Sequence, residues 1–210
     1  MTDAQKRFIA EGMPRWGFPV DGGKVDCAAL FQRTAPVILE IGFGMGQSLA
    51  ENAAQHPQHN FIGIEVHPPG VGTLLSLIDA QQLTNIRIAQ HDAVDVLKNN
   101  IADASLAAVQ LFFPDPWHKK RHHKRRIVQP EFVKLLHGKL KMGGQFHMAT
   151  DWQPYAEHML EVMESAEGFA NAAGAGCYSP RPADRPVTKF ERRGERLGHG
   201  VWDLIYTRIT

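Results

Sequence analysis

The chain has 210 residues, 43% of them hydrophobic, enough for one sizeable core and, by size, one domain. Its formal net charge is only +1, and its two cysteines, Cys27 and Cys177, have neither disulfide-framework nor zinc-site spacing; this excludes a small disulfide scaffold and fits a reducing, cytoplasmic compartment. The opening MTDAQKRFIAEG carries no apolar signal region and no run approaches a membrane span, so neither secretion nor membrane insertion is expected.

Residues Met1–Ala35 show weak periodicity, and Pro14, Gly17, Pro19, Gly22 and Gly23 break any long element. They are expected to form an N-terminal extension packed on a single domain spanning residues 36–210. Trp16 reads as an anchor to that core in preference to a substrate contact beside Arg15. Val37–Gly42 then reads as a short buried strand feeding a Gly42-x-Gly44-x-Gly46 turn and a helix with Leu49, Ala50, Ala53 and Ala54 apolar. Glycines there let a ligand lie against the backbone. A dinucleotide fingerprint would need glycine where Gln47 stands, and the Gly-Lys-Ser/Thr of a P-loop is absent. With Glu40 two residues ahead of the turn, the pattern suits a ligand with a positive group and no phosphate.

The second strand, Asn60–Ile64, ends at Glu65, where an acid commonly clamps ribose hydroxyls. A helix near Gly70–Gln82 follows, then a third strand, Asn85–Gln90, ending at His91-Asp92, and a helix carrying Val94, Val96, Leu97 and Ile101. The fourth strand, Leu106–Phe113, is stopped by Pro114 and Pro116, neither of which can donate to a ladder. Asp115 stands between them, at the place where open α/β sheets put their chemistry. After it come a helix over Gln129–Leu140, a strand Gln145–Ala149 ending in Thr150-Asp151, and an amphipathic helix Tyr155–Glu167. A Gly/Ala/Pro-rich passage, Gly168–Pro186, contains Arg181 and Arg185 and leads to a final strand, Val201–Ile209. Any one of the strand-end acids could be a helix cap, and for Asp151 that is the preferred reading because Gln153-Pro154 looks like a helix start. Glu40, Glu65, Asp92, Asp115 and Asp151 together favour a site.

Trp117 follows Asp115 and either stacks on a base or packs under the loop. Beyond it, Lys119, Lys120, Arg121, Lys124, Arg125 and Arg126 are six cations within eight residues, with His118, His122 and His123 interleaved and no acid. Without these six of its 23 Lys and Arg the chain is net acidic, so basic character is local, as in nucleic-acid sites. A carboxylate and an indole at the foot of a positive patch suit a polyanion with a polar ring. His118 and His122 form an i, i+4 pair, but no third ligand type has fixed spacing, so no metal is expected.

The segments LEIGFGMGQSLA, FIGIEVHPPGVG, HDAVDVL, QLFFPDPWHKKRHHKRRIVQPEF, GGQFHMATDWQPYAEHMLEVM and RPVTKFERRGERLGHGVWDL closely resemble the bacterial tRNA (guanine-N7-)-methyltransferases, from Pro36 to Leu204. The resemblance implies an α/β class I Rossmann-like methyltransferase fold, with a mostly parallel seven-stranded sheet and helices on both faces. It also implies S-adenosylmethionine as methyl donor without a metal, and tRNA as partner, methylated at N7 of a variable-loop guanosine. No protein partner is implied. Carried over residue by residue, Glu40, Gly42, Gly44, Gly46, Glu65, Asp92 and Asp115 take donor positions, and Asp115 is also the active-site aspartate. Lys119, Asp151, Thr188, Lys189, Phe190 and Glu191 fall on tRNA-substrate positions. Arg121, His122, His123, Lys124, Arg125 and Arg126 match the RNA-contacting segment. Two rivals remain: an exocyclic-amine methyltransferase, faintly echoed in Asp115-Pro116-Trp117, and a catalytically inactive RNA-binding protein on the same scaffold.

Overall fold

The computed structural model describes residues 1–183, 185, 186, 191 and 200–210; Thr188, Lys189 and Phe190 lie outside the described residues. The described chain runs α1 (Asp3–Trp16), α2 (Cys27–Phe31), β1 (Val37–Ile41), α3 (Gln47–Gln55), β2 (Asn60–Ile64), α4 (Pro68–Gln81), β3 (Ile86–Ala89), α5 (Ala93–Asn99) and β4 (Leu106–Phe112). A 3₁₀ helix (Lys120–Arg125), α6 (Pro130–Lys139), β5 (Leu140–Thr150), α7 (Gln153–Glu164), β6 (Phe169–Asn171) and β7 (Trp202–Arg208) complete it.

Strand alternation splits the apolar residues into two layers. Leu39, Ile41, Ile62, Ile64, Val109 and Leu111 face α5, α6 and α7, whereas Phe61, Ile86 and Ile88 face α3 and α4. The seven strands lie in the order β3-β2-β1-β4-β5-β7-β6, with β7 antiparallel to β5, β6 antiparallel to β7 and the other pairs parallel. This is the Rossmann-like methyltransferase arrangement. The chain leaves β1 for β2 on one side and returns to β4 on the other, so a crevice opens above the carboxyl ends of β1 and β4.

Three expectations change. Residues 1–35 contain a 14-residue helix, α1, begun by a capping box in which Thr2 and Gln5 satisfy each other's backbone N–H groups. Its apolar face escapes the sequence reading: Phe8, Ile9, Met13 and Trp16 lie at helical spacing on the second core, and Gly12 and Gly72 let α1 and α4 approach so closely that a Cβ on Gly72 would lie 2.7 Å from the Gln5 carbonyl oxygen. Pro14 falls in the last turn, and Trp16 is buried in the second core with Arg15 stacked on its ring at 4.4 Å, so the anchor reading of Trp16 holds. The fifth strand begins at Leu140, five residues earlier than expected, with a register irregularity between Leu106 and Ala108. A short edge strand, β6, lies in the Gly/Ala/Pro-rich passage, where its three residues pair only with β7.

Gly72→Ala should push α1 off α4, because the clash is with backbone that cannot rotate away. We expect a loss of about 1–3 kcal/mol, read as a Tm several degrees lower, with faster proteolysis within residues 3–16. Wild-type melting would show that α1 contributes nothing to the fold.

Candidate active site

The crevice begins at the turn after β1. Gly42, Gly44 and Gly46 have φ of 71°, 57° and 76°, in the left-handed region that glycine enters without strain. A Cβ on Gly42 or Gly44 would meet nothing within 4 Å, so this stretch of backbone faces open space. On its other side the turn is gripped. Gly44 N–H donates to Glu65 Oε2 at 2.9 Å, while Glu65 Oε1 accepts from Val66 and His67 N–H at 2.8 and 3.0 Å. The Gly44 carbonyl is seated on Gly70, where a Cβ would lie 2.0 Å from its oxygen. Glu65 therefore joins the two turns that flank the crevice, a task sequence reasoning missed.

Glu40 lies inside β1 and is 3% exposed, beside Gln110 of β4 in register. Glu40 Oε2 and Gln110 Oε1 are both buried acceptors without a donor. Burial, and then the neighbouring Glu65 charge, push the Glu40 carboxyl from its ordinary 4.5 to about 8. A pair of orphaned acceptors in an apolar sheet suits a cation or an N–H donor.

The other acids divide by role. Asp92 is exposed and caps α5, its Oδ1 accepting from Val94 and Asp95 N–H at 2.9 and 3.1 Å. Asp151 is not a cap: the N-cap position of α7 is Trp152, without a side-chain cap bond, and Asp151 stands one residue before it, where Thr150 Oγ1 accepts the Trp152 N–H at 3.2 Å. Asp115 is exposed at the tip of the loop after β4, with Oδ1 accepting the Trp117 N–H at 3.0 Å. That local ring helps hold Trp117 at φ +48°, while Phe113, at φ +52°, is tied to β5 by its N–H donating to the Ala149 carbonyl at 2.8 Å.

Lys119, Lys120, Arg121, Lys124 and Arg125 are exposed, and His122 and His123 half-buried, on and beside the 3₁₀ helix. Arg125 stacks on one face of Trp117 at 4.9 Å and His122 meets its edge at 5.9 Å. His118 instead packs against Trp152 at 4.5 Å, so the i, i+4 histidines serve different neighbours. Among the described residues no group of three His, Cys, Asp or Glu could hold a metal. Arg126 departs from the expected RNA face. It is 3% exposed, donates from Nε to the Pro116 carbonyl at 2.9 Å, and lies 4.8 Å over the Tyr155 ring. It holds the loop from beneath because its partners are buried on α7 and the proline turn.

Of the tRNA-substrate positions beyond the loop, Lys119 and Asp151 lie at the same sheet edge. Glu191 is 1% exposed and enclosed by arginines: Arg185 Nη1 and Nη2 donate to its two oxygens at 2.8 Å each, and Arg181 Nε lies 3.2 Å away. Arg185, Asp203 and His147 complete that buried group; sequence reading named Arg185 without a role and passed over Asp203 and His147. No local pattern marks His147 and Asp203, since each is polar for the sake of the other, 56 residues away.

A family model described as a putative methyltransferase matches residues 34–204. A tRNA (guanine-N(7)-)-methyltransferase of Pseudomonas savastanoi pv. phaseolicola is 59% identical over 209 residues, covering 100% of this chain and 86% of that protein. One from Stutzerimonas stutzeri is 60% identical, covering 100% and 88%. Among solved structures, the 16S rRNA methyltransferase KamB superposes with a TM-score of 0.62 at 15% identity, over 89% of this chain and 96% of the other. An rRNA methylase from Streptococcus thermophilus gives 0.57 at 10% identity, over 84% and 88%. These two share the fold.

The raised Glu40 pKa carries a consequence for stability. The unfolded chain loses this proton near the ordinary value, whereas the folded protein keeps it until about 8. The contribution is therefore full at acid pH and is lost as pH rises through about 8. Glu40→Gln removes the titrating group. Its Tm relative to wild type should rise steadily as pH is taken from about 5 to about 8, and a gap independent of pH would refute the burial account.

Proposed function

This chain belongs to the tRNA (guanine-N(7)-)-methyltransferase family, and from that membership we propose that it methylates N7 of a guanosine in the tRNA variable loop, with S-adenosylmethionine as donor. The observation that carries the reading is the placement of Asp115: an exposed carboxylate, fixed by its own turn, between an open glycine crevice and a cationic face. Residues 36–210 act as the catalytic domain, with residues 1–35 packed on it.

The crevice fits the donor. Gly42 and Gly44 leave room against the backbone, and Glu40 and Gln110 offer buried acceptors that lack donors. When bound, S-adenosylmethionine supplies an electrophilic methyl group on a sulfonium cation. Glu40, in its ionised form, favours such a cation by Coulomb attraction. Glu65 keeps the glycine turn and the β2–α4 turn at fixed separation, and Asp92 stands at the end of β3 with one oxygen engaged in its cap.

Guanine N7 is a lone pair without a hydrogen, so no base has to remove a proton from it. The work of the protein is alignment, worth up to about 7–11 kcal/mol when two reactants are held in line. Asp115 accepts from ring or exocyclic N–H groups of the guanine. Those groups become more acidic as the purine gains charge, so their bonds to the carboxylate strengthen toward the transition state. The Trp117–Asp115 bond orients that carboxylate beforehand. Trp117 has one face covered by Arg125, so a base would meet the other. Lys119, Lys120, Arg121, Lys124 and Arg125 hold the phosphates; none is paired with an acid among the described residues. Asp151 and Glu191 stand as further tRNA-substrate residues.

Mass-spectrometric mapping of bulk tRNA after incubation with protein and donor tests the whole reading: 7-methylguanosine should appear in the variable loop, and methylation on an exocyclic amine would overturn it. Asp115→Ala should slow single-turnover methyl transfer by about 10²–10³-fold, and Asp115→Asn by less, with tRNA affinity nearly kept. Equal rates for Asp115→Ala and wild type would remove Asp115 from the reaction. For the RNA face, about three to five phosphate contacts predict a slope of log K against log salt of about −2 to −4.5. Replacing Lys124 and Arg125 with alanine should flatten it by up to about two units, whereas Arg126→Ala should lower Tm and leave the slope alone. An unchanged slope in the double variant would assign these side chains to solubility.

A further inference from the structure

Beneath the Pro114–Trp117 loop lies a buried group of charges that the proposed reaction does not use directly. Arg185 is 3% exposed and clasps Glu191 with two parallel bonds of 2.8 Å. Its Nη2 also donates to Asp203 Oδ2 at 3.0 Å, and its Nε lies 2.8 Å from Asp203 Oδ1. His147 Nε2 is 2.7 Å from that same Oδ1. One guanidinium thus ties Glu191 to Asp203 on β7, and Asp203 in turn holds His147 on β5.

The same guanidinium reaches the loop that bears Asp115. Its central carbon is 6.0 Å from the Phe112 ring centre and 5.8 Å from that of Phe113, and the His147 ring meets Phe112 edge-on at 4.9 Å. Phe113 is the left-handed residue two positions before Asp115, so what presses on its ring bears on where the loop points. Stability gives a poor account of this cluster. Burying charges is costly, and an apolar set of equal size often folds as well or better. What only the charged set supplies is direction: a planar fork that fixes one carboxylate on each side.

We propose that Arg185 is a positioning residue, holding buried Glu191 and the Asp115 loop in one frame at the place where the guanosine binds. The proposal rests on the reading of Glu191 as a tRNA-substrate residue. Arg185 acts through its partners and touches no reacting atom. A cavity of about 90 Å³ beside Arg185, His147 and Gln110 gives water room to enter when the guanidinium is shortened, so conservative replacements can fold.

A double-variant cycle on Arg185→Gln and Glu191→Gln tests it, in single-turnover methyl transfer at saturating tRNA and S-adenosylmethionine. Tm and donor Kd are measured alongside: Tm should fall for Arg185→Gln, which leaves Glu191 and Asp203 without their guanidinium, and assays run well below that Tm, where donor Kd should stay close to wild type. Each single variant should slow the chemical step, on the order of 10²-fold for Arg185→Gln as expected of a misplacement near 1 Å. The double variant should be no slower than the worse single one, and Arg185→Lys should recover only part of the rate. Losses that multiply in the double variant, or a wild-type rate for Arg185→Gln, overturn the proposal while leaving the reading of Glu191 in place. A silent Glu191→Gln overturns that reading and the proposal with it. Should Arg185→Gln fail to fold, Arg185→Lys carries the same cycle.

Discussion

Three backbone N–H groups, those of Gly44, Val66 and His67, converge on the carboxylate of Glu65, and the crevice of this protein takes its shape from that convergence. Turns at the carboxyl edge of a parallel sheet leave donors that no ladder satisfies, and a buried donor without a partner is costly. A carboxylate answers several at once and, being charged, binds each more strongly than a neutral acceptor would. The Gly44 carbonyl, turned the other way, is seated on Gly70 at the start of α4. Once the glycine turn and the corner before α4 are joined, Leu74 closes on Gly46, and α1 lies along α4 through Gly12 and Gly72. The donor crevice and the N-terminal helix thus share one support.

The loop after β4 is built on the opposite principle. Phe113 and Trp117 both adopt left-handed backbone, at a cost of about 1–3 kcal/mol each. The bonds from Phe113 to Ala149, from Trp117 to Asp115 and from Arg126 to Pro116 offset that cost. The result is a strained loop that presents a carboxylate to solvent, directly before a run of exposed cations. Two adjacent arginines show how the run divides. Arg125 stays outside and stacks on Trp117, whereas Arg126 turns inward over Tyr155. The outer cations make this face positive over a distance set by salt, while the inner one makes short contacts that salt screens far less.

Electrostatics in the crevice and on the loop are complementary. Glu40 sits where desolvation resists ionisation, so a cationic ligand finds an acceptor whose charge develops in response to it. Asp115 is exposed to solvent, where nothing resists its ionisation by burial. The buried Arg185 group links Glu191 to Asp203 on β7 and, through Asp203, to His147 on β5, next to the strand that carries the Asp115 loop.

How much of this was legible in the chain depends on the range of the forces involved. Strands, glycine turn, strand-end acids and cationic run were readable because alternation, left-handed backbone and ladder-breaking prolines act within a few residues. Asp92 and Asp151 look alike in sequence, yet the first caps a helix and the second does not, because α7 starts one residue later, with Trp152 at its N-cap position. The helix α1 does carry a helical apolar face, Phe8, Ile9, Met13 and Trp16. Pro14 and Gly17 at its end nevertheless read as breaks, because a proline in a last turn looks the same in sequence as one that stops a helix. Arg126 could not be told from Arg125, nor Arg185 from a surface arginine between prolines. Local chemistry determined which groups this chain carries and roughly where each strand ends. Only the tertiary structure decided which charges are buried, since that choice depends on partners far away in sequence, such as His147 with Asp203, 56 residues apart.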